Sequence, residues 1–266
     1  MTTTISEEPI LFEKRGHVAI ITLNRPRVMN AVNRPLWFGA GEAIDEFAAD
    51  PSLKVLIITG AGERAFCAGS DLKAKAAGEM EFTAEEWARW GYAGIVRHFV
   101  PKPVIAAVNG LALGGGTEIA LSCDLIVAAE HASIGLPEPL HGQIAGAGGL
   151  LRLPRQIPLK VAMNTILTGE FMSAEEARGW GLVNDVVPAG QLIDRALEKA
   201  EKICAASPAA IRASKETVYR GLDVPLDFPG KAWEINQGFI DIVEAGPDSK
   251  EGAKAFAEKR EPIWKS

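Results

Sequence analysis

The sequence predicts a mixed α/β fold with a helix-rich C-terminal part, and three observations carry that prediction. Through the first half, short β-branched runs alternate with segments whose apolar residues recur at helical spacing. The second half keeps the helical spacing and loses the β-branched runs. The 266 residues, 47% hydrophobic and 23% charged, are enough for one large core and exclude a disordered or fibrous chain.

Taken in order, "HVAIITL" (17–23) and "KVLIITG" (54–60) are strands. The segment 34–50 between them places Leu36, Ala40, Ile44 and Phe47 on one helical face. "FTAEEWARWGYAGIVRHF" (82–99) reads as one amphipathic helix opened by a capping box, Thr83 with Glu86. "KPVIAAVNG" (102–110) is a buried strand and turn, and "DLIVAAE" (124–130) and "ASIGL" (132–136) are further strands. Strands separated by helices imply βαβ units and a sheet covered on both faces. A second capping box, Ser173 with Glu176, starts a helix over 173–181 that closes at a glycine. Leu192, Ala196, Ala200 and Ile203 form a stripe, and helical patterns continue through 208–221 and 249–259. No repeat of fixed period and no low-complexity linker is evident. The chain divides into an α/β core over 1–195 and a helical region over 196–266, which packs on that core or on a neighbouring subunit.

The net charge of −6 and the lack of a basic run argue against a nucleic-acid surface, though a few local cations could still hold a phosphate-bearing ligand. Cys67, Cys123 and Cys204 are odd in number and widely spaced, which fits a reducing cytosol better than a disulfide framework. The opening "MTTTISEEPI" lacks the charge and apolar core of a signal peptide, and no apolar run reaches the ~20 residues of a membrane span. A cytoplasmic protein without a membrane partner is expected.

Three short stretches could carry chemistry. "LALGGGTEIAL" (111–121) sets Gly114, Gly115 and Gly116 at the start of a helix, with Glu118 alone among apolar residues. Glycine lets a ligand atom approach the free N–H groups of a helix start, although a lone glycine run more often marks tight packing. "RAFCAGSDLK" (64–73) repeats the arrangement, small residues after a strand and before a helix, with Ser70 and Asp71 as ordinary capping residues. Two such turns can supply one N–H each to a developing oxyanion. In "GLPEPLHGQIAGAGGLLRLP" (135–154), Pro137 and Pro139 fix the backbone on either side of Glu138, and small residues follow. Two carboxylates in unlike environments can divide acid and base duties. His17, His98, His131 and His141 lack metal-ligand spacing, and GxSxG, GxGxxG and GxxxxGK[ST] are absent. The six tryptophans, Trp87 and Trp90 among them, read as core or subunit contacts rather than a ligand cage.

As an ordered set, "ITLNRPRVMNAVN", "AFCAGSDLK", "KPVIAAVNGLALGGGTEIALSCDLIVAAE", "ASIGLPE", "GAGGLLRLPR" and "AFAEKREPIWK" resemble the crotonase superfamily, enoyl-CoA hydratases in particular. The resemblance implies a spiral of ββα units, a helical C-terminal trimerisation region, and a homotrimer or dimer of trimers. It implies an acyl-CoA thioester substrate, coenzyme A entering as part of that substrate, and no separate cofactor or metal. It assigns Glu118 as base toward water, Glu138 as acid toward the α-carbon, and the backbone N–H groups of Ser70 and Gly115 as the oxyanion hole. Coenzyme A contacts fall at Arg27, Val28, Met29, Ala68, Asp71, Leu72 and Lys73; Gly146 falls at a water-holding position, and Phe256 and Lys259 at positions reaching a neighbouring subunit's nucleotide end. Ala145 in "GQIAGAGG" stands where hydratases usually carry proline, and "PEPLHG" stands for the commoner "PEVKLG", which leaves the acyl group open. The carnitinyl-CoA dehydratase branch shares these motifs, as do isomerases and thioesterases of the fold, and a silent acyl-CoA-binding protein would share the hole.

Overall fold

The computed structural model describes residues 8–266; most of the stretch read as lacking a signal peptide, residues 1–7, lies outside them. One compact unit comprises the described residues up to Phe99 with Val104–Glu198, and the other Val100–Pro103 with Lys199–Ser266.

In the first unit, β1 (Ile10–Arg15) pairs antiparallel with β2 (Val18–Leu23). Only Ile10 of β1 is buried, so the strand lacks the apolar run that marks its neighbours and gave no clear signal. Helix α1 (Arg34–Ala49) starts at Asn33, whose side chain accepts from Leu36 N–H, and buries Leu36, Ala40, Ile44 and Phe47 as expected. Then come β3 (Val55–Gly60), β4 (Ala65–Cys67), α2 (Leu72–Ala76) and α3 (Ala84–Trp90). They are followed by β5 (Val104–Val108), β6 (Leu111–Leu113), α4 (Gly115–Ser122), β7 (Leu125–Ala129) and β8 (Ser133–Gly135). A 3-10 turn over Glu138–His141 leads to α5 (Gly149–Gln156), α6 (Leu159–Thr168), β9 (Met172–Ser173), α7 (Ala174–Gly179) and β10 (Asp185–Val187).

The strands form two sheets, β1-β2-β3-β5-β7-β10 and β4-β6-β8-β9. Three times in succession the chain gives one strand to the large sheet, the next to the small sheet, and then turns into helical structure: β3-β4-α2, β5-β6-α4, and β7-β8 with the turn before α5. This is the ββα spiral. Strands β3 and β5 are buried along their whole length, as expected for continuous apolar runs in a parallel sheet.

One expectation fails. Residues 82–99 do not form a single helix: the capping box of Thr83 and Glu86 is present, but α3 stops at Trp90. Gly91 (φ 68°), Ala93 (φ 57°) and Gly94 (φ 70°) take left-handed conformations that no α-helix admits. A Cβ at Gly94 would overlap the Trp37 carbonyl, so close packing on α1 dictates the break.

Helix α8 (Leu192–Cys204) carries the chain into the second unit, with Leu192, Ala196 and Ala200 buried. That unit continues with α9 (Pro208–Gly221), α10 (Lys231–Ala245) and α11 (Pro247–Glu258). No helix among the described residues is long and apolar enough to cross a membrane.

Candidate active site

The three glycines of α4's start each answer a different steric demand. Gly114 caps the helix at φ 56°, ψ −121°, and a Cβ there would sit 3.0 Å from Glu138 Oε1. A side chain at Gly115 would overlap the ring edge and hydroxyl of Tyr92, and one at Gly116 would overlap the Cys67 carbonyl of β4. Buried Thr117 fastens the same turn, donating to Ala112 O (2.6 Å) and accepting from Gly135 N–H (3.1 Å). The packing reading of the glycines thus holds at Gly116, while Gly114 and Gly115 border a cavity.

The second turn is hung from the loop after β2. Ala68 N–H donates to Met29 O (3.0 Å), Val32 N–H to Gly69 O (2.8 Å), and Asp71 N–H to Val32 O (2.9 Å). Asn30, fully buried, pins that loop in turn: its amide donates to Ala61 O (3.0 Å) and Ala65 O (2.8 Å) and accepts from Arg25 N–H (2.9 Å). A Cβ on Gly69 would lie 3.3 Å from Gly115 N, so the two turns adjoin. Neither Ser70 N–H nor Gly115 N–H meets an acceptor among the described residues.

These turns line a cavity of about 520 Å³ whose walls include Ser70, Gly115, Glu118 and Glu138. Glu118, 3% exposed, accepts from Gly149 N–H at 2.8 Å. Burial pushes its carboxyl up to about 7, and the neighbouring Glu138 charge adds to the rise. Glu138 is half-buried on the 3-10 turn, and burial raises its carboxyl above the usual range. Its Oε2 is a buried side-chain oxygen without a hydrogen-bond partner among the described residues. The Gly149 N–H offsets part of the rise at Glu118, while the bare oxygen of Glu138 has no donor to offset the effect of burial there. Cys67 is close by, but burial pushes its thiol up to about 12, which removes it as a nucleophile.

The other expected contacts divide. Met29, Ala68, Leu72 and Gly146 also line the cavity; Arg27, Val28, Asp71 and Lys73 do not. The Asp71 carboxylate is engaged by the main-chain N–H groups of Lys73 and Ala74 and by Arg25 at 2.9 Å, so its side chain builds the turn. Arg27 and Lys73 are exposed. Gly146 N–H donates to Ile144 O (2.8 Å). Phe256 and Lys259 lie at the end of α11, in the second unit and outside the cavity lining; Phe256 is 88% exposed. Ala145 is buried behind the wall, whereas His141 is part of it.

Trp87 and Tyr92 are among the wall residues that were not picked out for the site from the sequence. Trp87, read as core or subunit contact, lines the cavity because α3 is short and ends one turn beyond it. Tyr92 lines it because the break at Gly91 redirects the chain, and its only sequence signal was a polar-tipped aromatic beside two helix-breaking glycines.

A family model described as enoyl-CoA hydratase/isomerase matches residues 13–266. The chain belongs to that family. It is 44% identical over 258 residues to the mevalonyl-coenzyme A hydratase of Beauveria bassiana, covering 94% of this chain and 91% of that protein. With the carnitinyl-CoA dehydratase of Salmonella agona it shares 44% identity over 262 residues, 97% of this chain and 98% of the relative. The crystal structure of enoyl-CoA hydratase from Mycobacterium tuberculosis H37Rv superposes with a TM-score of 0.91 at 43% identity, covering 97% and 99% of the two chains. The fold of this family member is the crotonase fold.

Proposed function

We propose that this protein is a hydro-lyase that adds water reversibly across the α,β double bond of an enoyl-CoA thioester. The observation that carries the reading is two buried-side carboxylates, unlike in bonding, facing one cavity beside two unpartnered main-chain N–H groups. The Glu118 carboxylate takes a proton from water, and the water oxygen forms a bond to the β-carbon. The π electrons move onto the thioester oxygen, which the N–H groups of Ser70 and Gly115 stabilise as an enolate. The enolate collapses as the α-carbon takes the proton of Glu138. One proton has then passed from Glu138 to product and one from water to Glu118, and exchange between the carboxyls resets the site. Nothing beyond the coenzyme A of the substrate is called for.

Exposed Arg27 and Lys73, with Phe256 and Lys259 of a neighbouring copy, serve the coenzyme A end in this reading, and copies assemble as a trimer or a dimer of trimers. Three free cysteines accord with a cytoplasmic location. Lys75 stands in the cavity wall, and the catalytic pair supplies the only carboxylates there among the described residues. That favours an uncharged or anionic acyl group over the quaternary ammonium of a carnitinyl thioester.

Loss of the conjugated enoyl-thioester absorbance of crotonyl-CoA tests the proposal. The wild type consumes it, and Glu118→Gln and Glu138→Gln each lower kcat by about 10²–10⁴-fold, the usual yield of acid–base catalysis. Free coenzyme A release, double-bond migration, or tight binding without turnover would point instead to a thioesterase, an isomerase or a silent binder. Preferred turnover of carnitinyl-CoA would move the assignment to that dehydratase.

A further inference from the structure

Tyr92 touches both residues of the oxyanion hole. Ser70 Oγ donates to its hydroxyl at 3.2 Å, the long end for a hydroxyl pair, and its ring edge and hydroxyl occupy the space that a side chain at Gly115 would need. The ring is fixed from behind by Trp37, centroids 5.3 Å apart and edge to face. The phenol is buried, and Ser70, Cys67, Glu118 and Glu138 are the titratable or polar groups that act on it. Burial first, then the neighbouring Cys67, Glu118 and Glu138, push its pKa well above 10, so it stays a neutral hydroxyl. Two hydroxyls share one hydrogen bond here, and the remaining proton has no acceptor among the described residues.

We infer that Tyr92 is the positioning residue of the oxyanion hole: it clamps Ser70 against Gly115, and its hydroxyl, through Ser70, sets how strongly the hole polarises a thioester carbonyl. The inference rests on the proposed use of the Ser70 and Gly115 N–H groups. Its physical basis is that donors aimed at an oxyanion act by being held in place before charge develops, which a rigid aromatic wedge between two turns achieves. Tyr92 need not meet the α- or β-carbon for this.

The test uses the wild type, Tyr92→Phe, Ser70→Ala and the double variant, with 4-dimethylaminocinnamoyl-CoA as a probe whose absorbance moves red when its carbonyl is polarised. Phenylalanine keeps the wedge and removes only the hydroxyl; alanine keeps the Ser70 N–H. Each single variant is expected to bind the probe with a smaller red shift and to lose about fivefold in kcat on crotonyl-CoA, the value of one hydrogen bond, with KM within about twofold. The double variant should be no worse than the poorer single, because both remove one link. A full red shift and unchanged kcat in Tyr92→Phe, or additive losses, would overturn the inference while leaving the hole intact. A wild type that binds the probe without a red shift would overturn the hole and the inference together.

Discussion

Glu118 and Glu138 share a wall, and the charge of Glu138 acts on Glu118, so their protons are coupled. Hydration needs one carboxylate and one carboxylic acid, and both groups are raised by burial. As pH falls through the lower step, above the usual carboxylate range, both become protonated and the base is lost. As pH rises through the upper step, about 7 at Glu118, the pair gives up its last proton and no acid remains. The expected kcat/KM profile of the free enzyme is therefore a bell whose alkaline limb lies near 7, and both steps belong to the pair rather than to either residue. In Glu138→Gln the neighbouring charge is gone, so the remaining Glu118 step moves below about 7. Titration of a carboxyl-labelled enzyme by NMR checks this, and an unmoved step would contradict the coupling. The two glutamates were legible in the sequence because each stood out against its surroundings, one among apolar residues and one between prolines. Their unequal bonding was not, since Gly149 N–H comes from 31 residues away.

At the scale of elements, the proposed oxyanion hole depends on a loop that carries no chemistry. Asn30 holds residues 25–32 in place through three hydrogen bonds while fully buried, at φ 55°. Met29 and Val32 then hold the turn of Ser70. Asn30→Ala takes the side-chain partner from Ala61 O and Arg25 N–H, leaves Ala65 O only its bond from Asn109, and puts alanine in a left-handed conformation that asparagine tolerates better. A loss of about 2–4 kcal/mol in urea unfolding is expected, with activity falling in parallel. A loss below about 1 kcal/mol would mean that the loop is held by other contacts. Capping boxes were readable because Thr83–Glu86 and Ser173–Glu176 are local, closing within one helical turn. The end of α3 was not, because it is decided by the carbonyl of Trp37, on a different helix.

For the whole molecule, the ββα repeat is plain in the sheets yet absent as a period in the sequence. Its three opening strands begin at residues 55, 104 and 125, so the connecting segments differ too much in length for self-similarity to register. The second unit leaves large apolar side chains in the open, with Leu226 77%, Phe228 83% and Ile242 64% exposed. The proposed assembly would have these side chains to cover. Light scattering is expected to give three or six times the mass of the chain, and a monomer at micromolar concentration would contradict the proposed assembly.

The sequence by itself determined the alternation of strands and helices, the capping of several helices, and which acids and small residues could do chemistry. These rest on periodicity and on interactions within a few residues, which a linear text records. Only the tertiary structure decided that Ser70 adjoins Gly115, that Glu118 has an N–H partner and Glu138 Oε2 none, and that Tyr92 stands between the two turns. Those relations join residues tens of positions apart, and their chemistry comes from burial and from which hydrogen bonds remain unmade.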